Sequence, residues 1–246
     1  NMNEKPVVVT MGDPSGISGE ILIKTWIERN QSSINKFFAL DCTERLEKVA
    51  NELKLEVPIK TINNPQEAIE LFSECLPVLN LKSKVFAELG KPIKENGEYV
   101  LESIHKAIDF VNEGQAKALV TNPISKSIMK DYGFDFLGQT ELISDILSKK
   151  IKKKFEEIMI LTTTKPEDMG SNLKIGLVTT HIPICDISKS LYIEKIFSKV
   201  ESFIISLRNF WKISNPKIGI CGLNPHIGED GKIGKEEEEI IKPAIR

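Results

Sequence analysis

The sequence predicts an α/β protein built on a mainly parallel sheet with helices on both faces. Three observations lead there. Short, continuous apolar runs alternate with longer stretches of helical periodicity, the order that right-handed crossovers between parallel strands require. The runs are too uniformly hydrophobic to carry a wet face, so both sides of the sheet need cover. Two of only three histidines, His181 and His226, each follow such a run, where open α/β sheets place their ligands.

In order along the chain, Pro6 to Thr10 reads as the first strand and Gly19 to Arg29 as the helix behind it, with Ile21, Leu22 and Ile27 for its buried face. Lys36 to Leu40 is a second strand, and Cys42 to Leu53 a helix opened by Asp41 or Thr43. From about residue 54 to 97 the periodicity weakens. Pro58, Pro65, Pro77 and Pro92 break that stretch into short strands and loops, the pattern of an excursion or a sheet edge. Asn96 to Glu113 is an amphipathic helix, with Val100, Ile104, Ala107, Ile108 and Val111 at helical spacing. It feeds a strand over Ala118 to Thr121 and a turn at Asn122-Pro123. A helix over Thr140 to Leu147, a strand over Glu157 to Leu161, a strand from Ile175 toward His181, a helix over Leu191 to Phe210 and a strand from Ile218 toward His226 complete the alternation. At 246 residues the chain can form either one large α/β domain or two lobes with a cleft between them.

Composition narrows the function classes. A net charge of -2 gives no general electrostatic case for nucleic acid or an anionic membrane. No run approaches the roughly 18 apolar residues that span a bilayer, and no N-terminal stretch resembles a secretory signal, so the cytoplasm is the expected compartment. Cys42, Cys75, Cys185 and Cys221 are scattered and read as reduced thiols, with Cys221 expected as a small core residue. The lysines at 149, 150, 152, 153 and 154 read as a solvated turn.

Four segments carry candidate chemistry. His181 and His226, delivered to strand ends, suit one shared metal ion or one substrate oxygen; the plainer reading is two histidines filling turns. The first strand-to-helix turn, Met11 to Glu20, holds glycines at 12, 16 and 19 but neither G-x-G-x-x-G nor a phosphate-loop Gly-Lys-Ser/Thr. Its amides suit an anion, or else Asp13 and Ser18 simply cap the turn. Asn122 and Lys126 lie just beyond a strand, and Gln139 with Thr140 opens a helix, a set suited to a phosphorylated small molecule. Surface lysine and capping threonine are the bland alternatives. Glu236 to Glu239 reads as the solvated opening of a helix, its acids at the positive end of the dipole.

The segments GDPSGISGE, TNPISK, GQTE, TTHIPI and GLNPHIGEDGKIGKEEEEIIKPAI, in this order, resemble the 4-hydroxythreonine-4-phosphate dehydrogenase family of vitamin B6 biosynthesis. The likeness runs from Val7 to Ile245. It implies an isocitrate/isopropylmalate dehydrogenase-like fold, two α/β lobes, over residues 1–129 and 130–246, with a cleft between them, completed across a homodimer. It also implies NAD(P)-dependent oxidation of 4-phosphooxy-L-threonine to a β-keto acid, which loses carbon dioxide to give 3-amino-2-oxopropyl phosphate. That fold binds its cofactor without the Rossmann fingerprint, so the missing G-x-G-x-x-G does not count against NAD or NADP. Family members hold a divalent metal through three histidines, and the first two match His181 and His226. Zinc, magnesium, cobalt and manganese all remain open.

Two departures stand out. The family's substrate-contacting His-Thr pair falls on Gln139-Thr140, and glutamine cannot carry positive charge. The family normally continues past the helix near Glu236 with a third metal histidine and with substrate-holding lysine, asparagine and arginine, so the expectation is that a C-terminal portion is omitted here and that these 246 residues alone turn over poorly. The general acid or base stays unassigned. Rival readings are a dehydrogenase of threonate or erythronate 4-phosphate, a metal-dependent hydrolase in which Asp186 or Glu229 activates water, and a noncatalytic metabolite-binding protein.

Overall fold

A computed structural model describes residues 4–31, 34–82, 87–136, 138–152, 156–163, 172–226, 229 and 232–246. The chain packs as two units, Asn1–Leu147 and Ser148–Arg246. In the first, strands β1 (Val7–Val9), β2 (Phe37–Asp41), β3 (Ile59–Thr61), β4 (Leu76–Asn80) and β5 (Ala118–Val120) form one all-parallel sheet in the order β3-β4-β2-β1-β5. Every pairing is parallel, as the alternation of runs and helices requires.

The period of two along β2 shows how both faces are closed. Phe37 and Ala39 join Leu22, Ile23 and Trp26 of α1 (Ser18–Ile27) and Leu46, Val49 and Ala50 of α2 (Thr43–Glu52). Phe38 and Leu40 point the other way, to Ala68 of α3 (Pro65–Leu71) and Ala107 of α4 (Asn96–Asn112). A strand flanked on both sides needs an unbroken apolar run, which is what Phe-Phe-Ala-Leu supplies.

Residues 54–97 are more regular than the sequence suggests. Asn64 caps α3, its Oδ1 accepting from the Gln66 and Glu67 amides at 3.0 and 3.2 Å, with Pro65 in the first turn. In this stretch β3 is at one edge of the sheet, and β4 lies inside it despite Pro77. The proline is tolerated because its pairing with β2 begins one residue later, at Ala39–Val78.

Helices α5 (Lys126–Asp131) and α6 (Gln139–Ile151) follow β5. Met129 and Leu142 are buried against Val100, Ile104 and Ile108 of α4, so residues 130–147 pack with the first unit, beyond the 129/130 division expected from the sequence.

The second unit departs from expectation. Its β6 (Met159–Thr162) and β7 (Lys174–Leu177) pair antiparallel, with α8 (Ile193–Trp211) laid on them through Ile196, Phe203 and Leu207. Gly176 admits the Phe203 ring, which would lie 3.2 Å from an added Cβ. Lys199 is buried and reaches Glu156 at 2.9 Å, tying α8 to the start of β6. Residues 218–222, expected as a strand, have no regular secondary structure, and Cys221 is exposed rather than in the core. An apolar run becomes a strand only when a ladder partner meets its backbone, and among the described residues β7 is paired with β6 alone. All four cysteines are free thiols. Lys153 and Lys154 lie outside the described residues. No helix among the described residues is long and apolar enough to cross a membrane.

Candidate functional site

The carboxyl ends of β1 and β5 meet through one glycine. Gly12 takes φ +69°, and a Cβ there would lie 2.6 Å from the Pro123 carbonyl oxygen and 2.7 Å from Asn122 Cβ. Only a residue with neither side chain nor left-handed penalty lets the two turns come so close. The Asp13 amide then donates to the Pro123 carbonyl at 2.8 Å. Asn122 is buried; its amide donates to Thr10 Oγ1 (3.2 Å) and its Nδ2 to the Thr10 carbonyl (3.0 Å). Gln139, opening α6, donates Nε2 to the Asn122 carbonyl at 3.0 Å, and its Oε1 is buried without a hydrogen-bond partner among the described residues. Hydrogen bonds thus link the Asp13 backbone, the Asn122–Pro123 turn and Gln139. Thr140 and Lys126 sit exposed at the starts of α6 and α5.

The first turn is closed largely on itself. Asp13 Oδ1 accepts from the Ser15 amide (2.9 Å), the Asp13 carbonyl accepts from the Gly16 amide (3.1 Å), and Ser18 Oγ donates to that same carbonyl (2.8 Å). The amides of residues 13, 15 and 16 are therefore committed internally. Neither Asp13 nor Ser18 caps α1, whose N-cap is Ile17 with no side-chain bond.

Two supports escaped the sequence reading. Arg45 donates Nε to Asp41 Oδ1 (2.8 Å), Nη2 to Asp41 Oδ2 (2.5 Å) and Nη1 to the Pro14 carbonyl (3.1 Å). Burial pulls the guanidinium's pKa down, but the charge and hydrogen bonds of Asp41 more than offset this and raise it. The spacing Asp41-x-x-x-Arg45 was the signal, an i,i+4 ion pair at a helix start. Asn96, buried at the start of α4, donates Nδ2 to Ser15 Oγ at 3.1 Å. The first turn is held from β1, α2 and α4 at once.

The histidines lie in the second unit. β7 ends at Leu177, and His181 stands four residues on in a left-handed conformation (φ +56°), exposed. His226 is exposed in a turn closed by Asn224, whose Oδ1 accepts from the His226 amide at 2.9 Å. Its Nδ1 lies 3.6 Å from Glu229 Oε1. Among the described residues no three His, Cys, Asp or Glu side chains are grouped to hold a metal ion. Two exposed imidazoles fit a first-row divalent ion by donor chemistry, yet they form an incomplete set.

One member of the acidic run departs from the solvated role expected of it, while Glu238 and Glu239 stay exposed in the first helical turn. Glu237 is only 3 % exposed, in a π-helical turn over Glu237–Ile241 that leads into α9 (Lys242–Ile245), and its Oε1 accepts from the Asn224 amide at 2.8 Å. Glu236 accepts from Ser188 Oγ at 2.5 Å. That bond, with backbone amides, holds the Glu236 carboxyl below its ordinary pKa.

Comparison with known proteins settles the family. The family model described as pyridoxal phosphate biosynthetic protein PdxA matches residues 34–246. The chain belongs to the PdxA family. A 4-hydroxythreonine-4-phosphate dehydrogenase of Zymomonas mobilis is 36 % identical over 98 % of this chain and 68 % of its own length. One from Methylorubrum extorquens is 32 % identical over 99 % of this chain and 68 % of its own. Among solved structures, a 4-hydroxythreonine-4-phosphate dehydrogenase from Klebsiella pneumoniae superposes with a TM-score of 0.81 at 27 % identity, covering 98 % of this chain and 71 % of that one. The corresponding Burkholderia phymatum enzyme gives 0.78 at 26 %, over 99 % and 70 %. PdxA structures have the isocitrate dehydrogenase-like fold, so the α/β class read from the sequence stands.

Proposed function

We propose that this PdxA-family chain is an NAD(P)- and divalent-metal-dependent dehydrogenase of 4-phosphooxy-L-threonine. The product, 2-amino-3-oxo-4-phosphooxybutanoate, loses carbon dioxide to give 3-amino-2-oxopropyl phosphate for pyridoxal phosphate synthesis. The observation that carries the reading is continuous correspondence over 242 residues with the Zymomonas enzyme of that name. The nicotinamide supplies the hydride acceptor, and the divalent ion supplies Lewis acidity toward oxygen.

In this reading His181 and His226 supply imidazole donors for zinc, magnesium, cobalt or manganese. Lys126, exposed and cationic, meets the substrate phosphate. Thr140 donates a hydroxyl beside it. Gln139 is fixed by its bond to the Asn122 carbonyl, so it orients this end of the pocket rather than adding charge. Asp13 and Asn122 hold the two strand-end turns together beneath the substrate. The active enzyme is a cytoplasmic homodimer with its site completed at the subunit interface.

The test is spectrophotometric. Intact protein supplied with 4-phosphooxy-L-threonine, a divalent metal and NAD or NADP should generate reduced nicotinamide absorbance. Phosphate release without that absorbance would instead establish a hydrolase. His226→Ala should abolish metal-dependent turnover while keeping the far-UV circular dichroism of the parent; full turnover in that variant refutes the ligand assignment. Gln139 in place of an imidazole favours one second reading, a related dehydrogenase of threonate or erythronate 4-phosphate. Comparing kcat/KM across the three substrates decides between them.

A further inference from the structure

The acidic run at Glu236–Glu239 is the feature that neither the fold nor the proposed chemistry uses. A solvated helix opening would leave these acids in water. Glu237 is instead buried, and its Oε2 has no hydrogen-bond partner among the described residues. Burying a carboxylate with one oxygen unmet is unfavourable, and a leucine or isoleucine would fill the same space without that penalty. The compensating bond is specific: Oε1 accepts from the Asn224 amide, and Asn224 Oδ1 accepts from the His226 amide. Asn224 Nδ2 reaches the Ile233 carbonyl at 3.4 Å, closing the loop back toward the acidic run. The carboxylate sits in a π-helical turn, a distortion that re-aims side chains and recurs at functional sites.

Its neighbour reaches the other histidine's segment. Glu236 takes the hydroxyl of Ser188, on the short helix α7 (Ile187–Ser190). That helix is joined to the His181 turn through a 3-10 turn at Ile184–Asp186. Consecutive residues thus engage both histidine-bearing segments.

We infer that Glu237, assisted by Glu236, is a positioning residue that fixes the His226 turn relative to the segment following His181, so that the two imidazoles are preorganised for one divalent ion. Glu237 touches neither ion nor substrate; it acts through the Asn224 and His226 amides. The inference rests on the proposed metal role of the histidines. Partners that orient metal ligands from behind typically change metal affinity 10–100-fold when removed.

The experiment compares Glu237→Gln, Glu237→Asp and Glu237→Ala in the intact protein, by hydrogen exchange and by titration with Mn2+ alone. Glutamine keeps an acceptor oxygen at the same reach and should retain parental exchange and Mn2+ affinity within about threefold. Alanine removes the acceptor and should raise exchange at the Asn224 and His226 amides about tenfold and weaken Mn2+ binding at least tenfold. In turnover kcat should fall while the KM for the phosphorylated substrate holds. Aspartate withdraws the acceptor by one methylene and should behave like alanine, providing the same measurement if the alanine variant does not fold. Parental exchange and affinity in both shortened variants overturn the inference, as does a glutamine variant as impaired as alanine. Exchange needs neither metal nor turnover. If the parent binds no Mn2+, the metal role falls, while faster exchange in the shortened variants still shows the brace.

Discussion

The two units solve the same packing problem differently. In the first, β2 is buried along its whole length, Val8 and Phe38 are 0 % exposed, and the buried Asp41–Arg45 ion pair carries four hydrogen bonds. In the second, no strand residue among the described residues is fully buried, and Phe197 on α8 is 60 % exposed. A five-stranded sheet covered on both faces holds the first unit's turns from beneath. Among the described residues the second unit pairs two strands, and polar contacts join its segments: Lys199 to Glu156, Ser188 to Glu236, Asn224 to Glu237.

That contrast predicts different sensitivities. The largest effect is expected at Arg45: Arg45→Ala leaves Asp41 charged and buried and should cost about 3–5 kcal/mol by urea denaturation. A loss under about 1 kcal/mol would mean that the first unit's rigidity does not depend on this pair. Phe197→Ser should change stability by no more than about 0.5 kcal/mol, since the ring is largely in water and the two residues have similar helix propensity. A loss of several times that would mean the α8 face is covered in solution and would erase the contrast. The smallest effect concerns acid. The Glu236 carboxyl is held below its ordinary pKa by Ser188, so its stabilisation is present above the unfolded value of about 4.3 and disappears as pH falls through the folded one. Ser188→Ala should flatten the dependence of melting temperature on pH below that point; an unchanged acid limb would show that the bond contributes nothing.

The same contrast explains what the sequence revealed. Strands β1 and β2 and helices α1, α2 and α4 were legible because continuous apolar runs and the 3.6-residue period both report burial, and these elements line the buried core; β5 was read from the same kind of run although Ala118 and Val120 are exposed. Helix α3 was legible in principle: Asn64-Pro65-Gln66-Glu67 is a cap, a first-turn proline and a first-turn acid, but the prolines around it drew attention to breaks. Strand β4 was obscured because Pro77 argues against a central strand unless the partner register is known. In the second unit, Ile218 to Leu223 carries the apolar signal without the ladder, since hydrophobicity reports burial potential and not who pairs with whom. At the candidate site, Asp13, Asn122 and Gln139 were each singled out in separate segments, but the bonds that link their turns have no local signature, because they depend on how β1 and β5 pair. The burial of Glu237 was not, because one glutamate among four has no local signature that separates it from its solvated neighbours.

Gly12 has a practical meaning for anyone altering this protein. Because a methyl group there would strike the Pro123 carbonyl, the loops after the first and fifth strands behave as one welded part. Libraries that aim to broaden the accepted ligands will gain little by randomising either loop separately. Diversity belongs at the exposed heads of α5 and α6, Lys126 and Thr140, where a new side chain can be tried without prising that joint open.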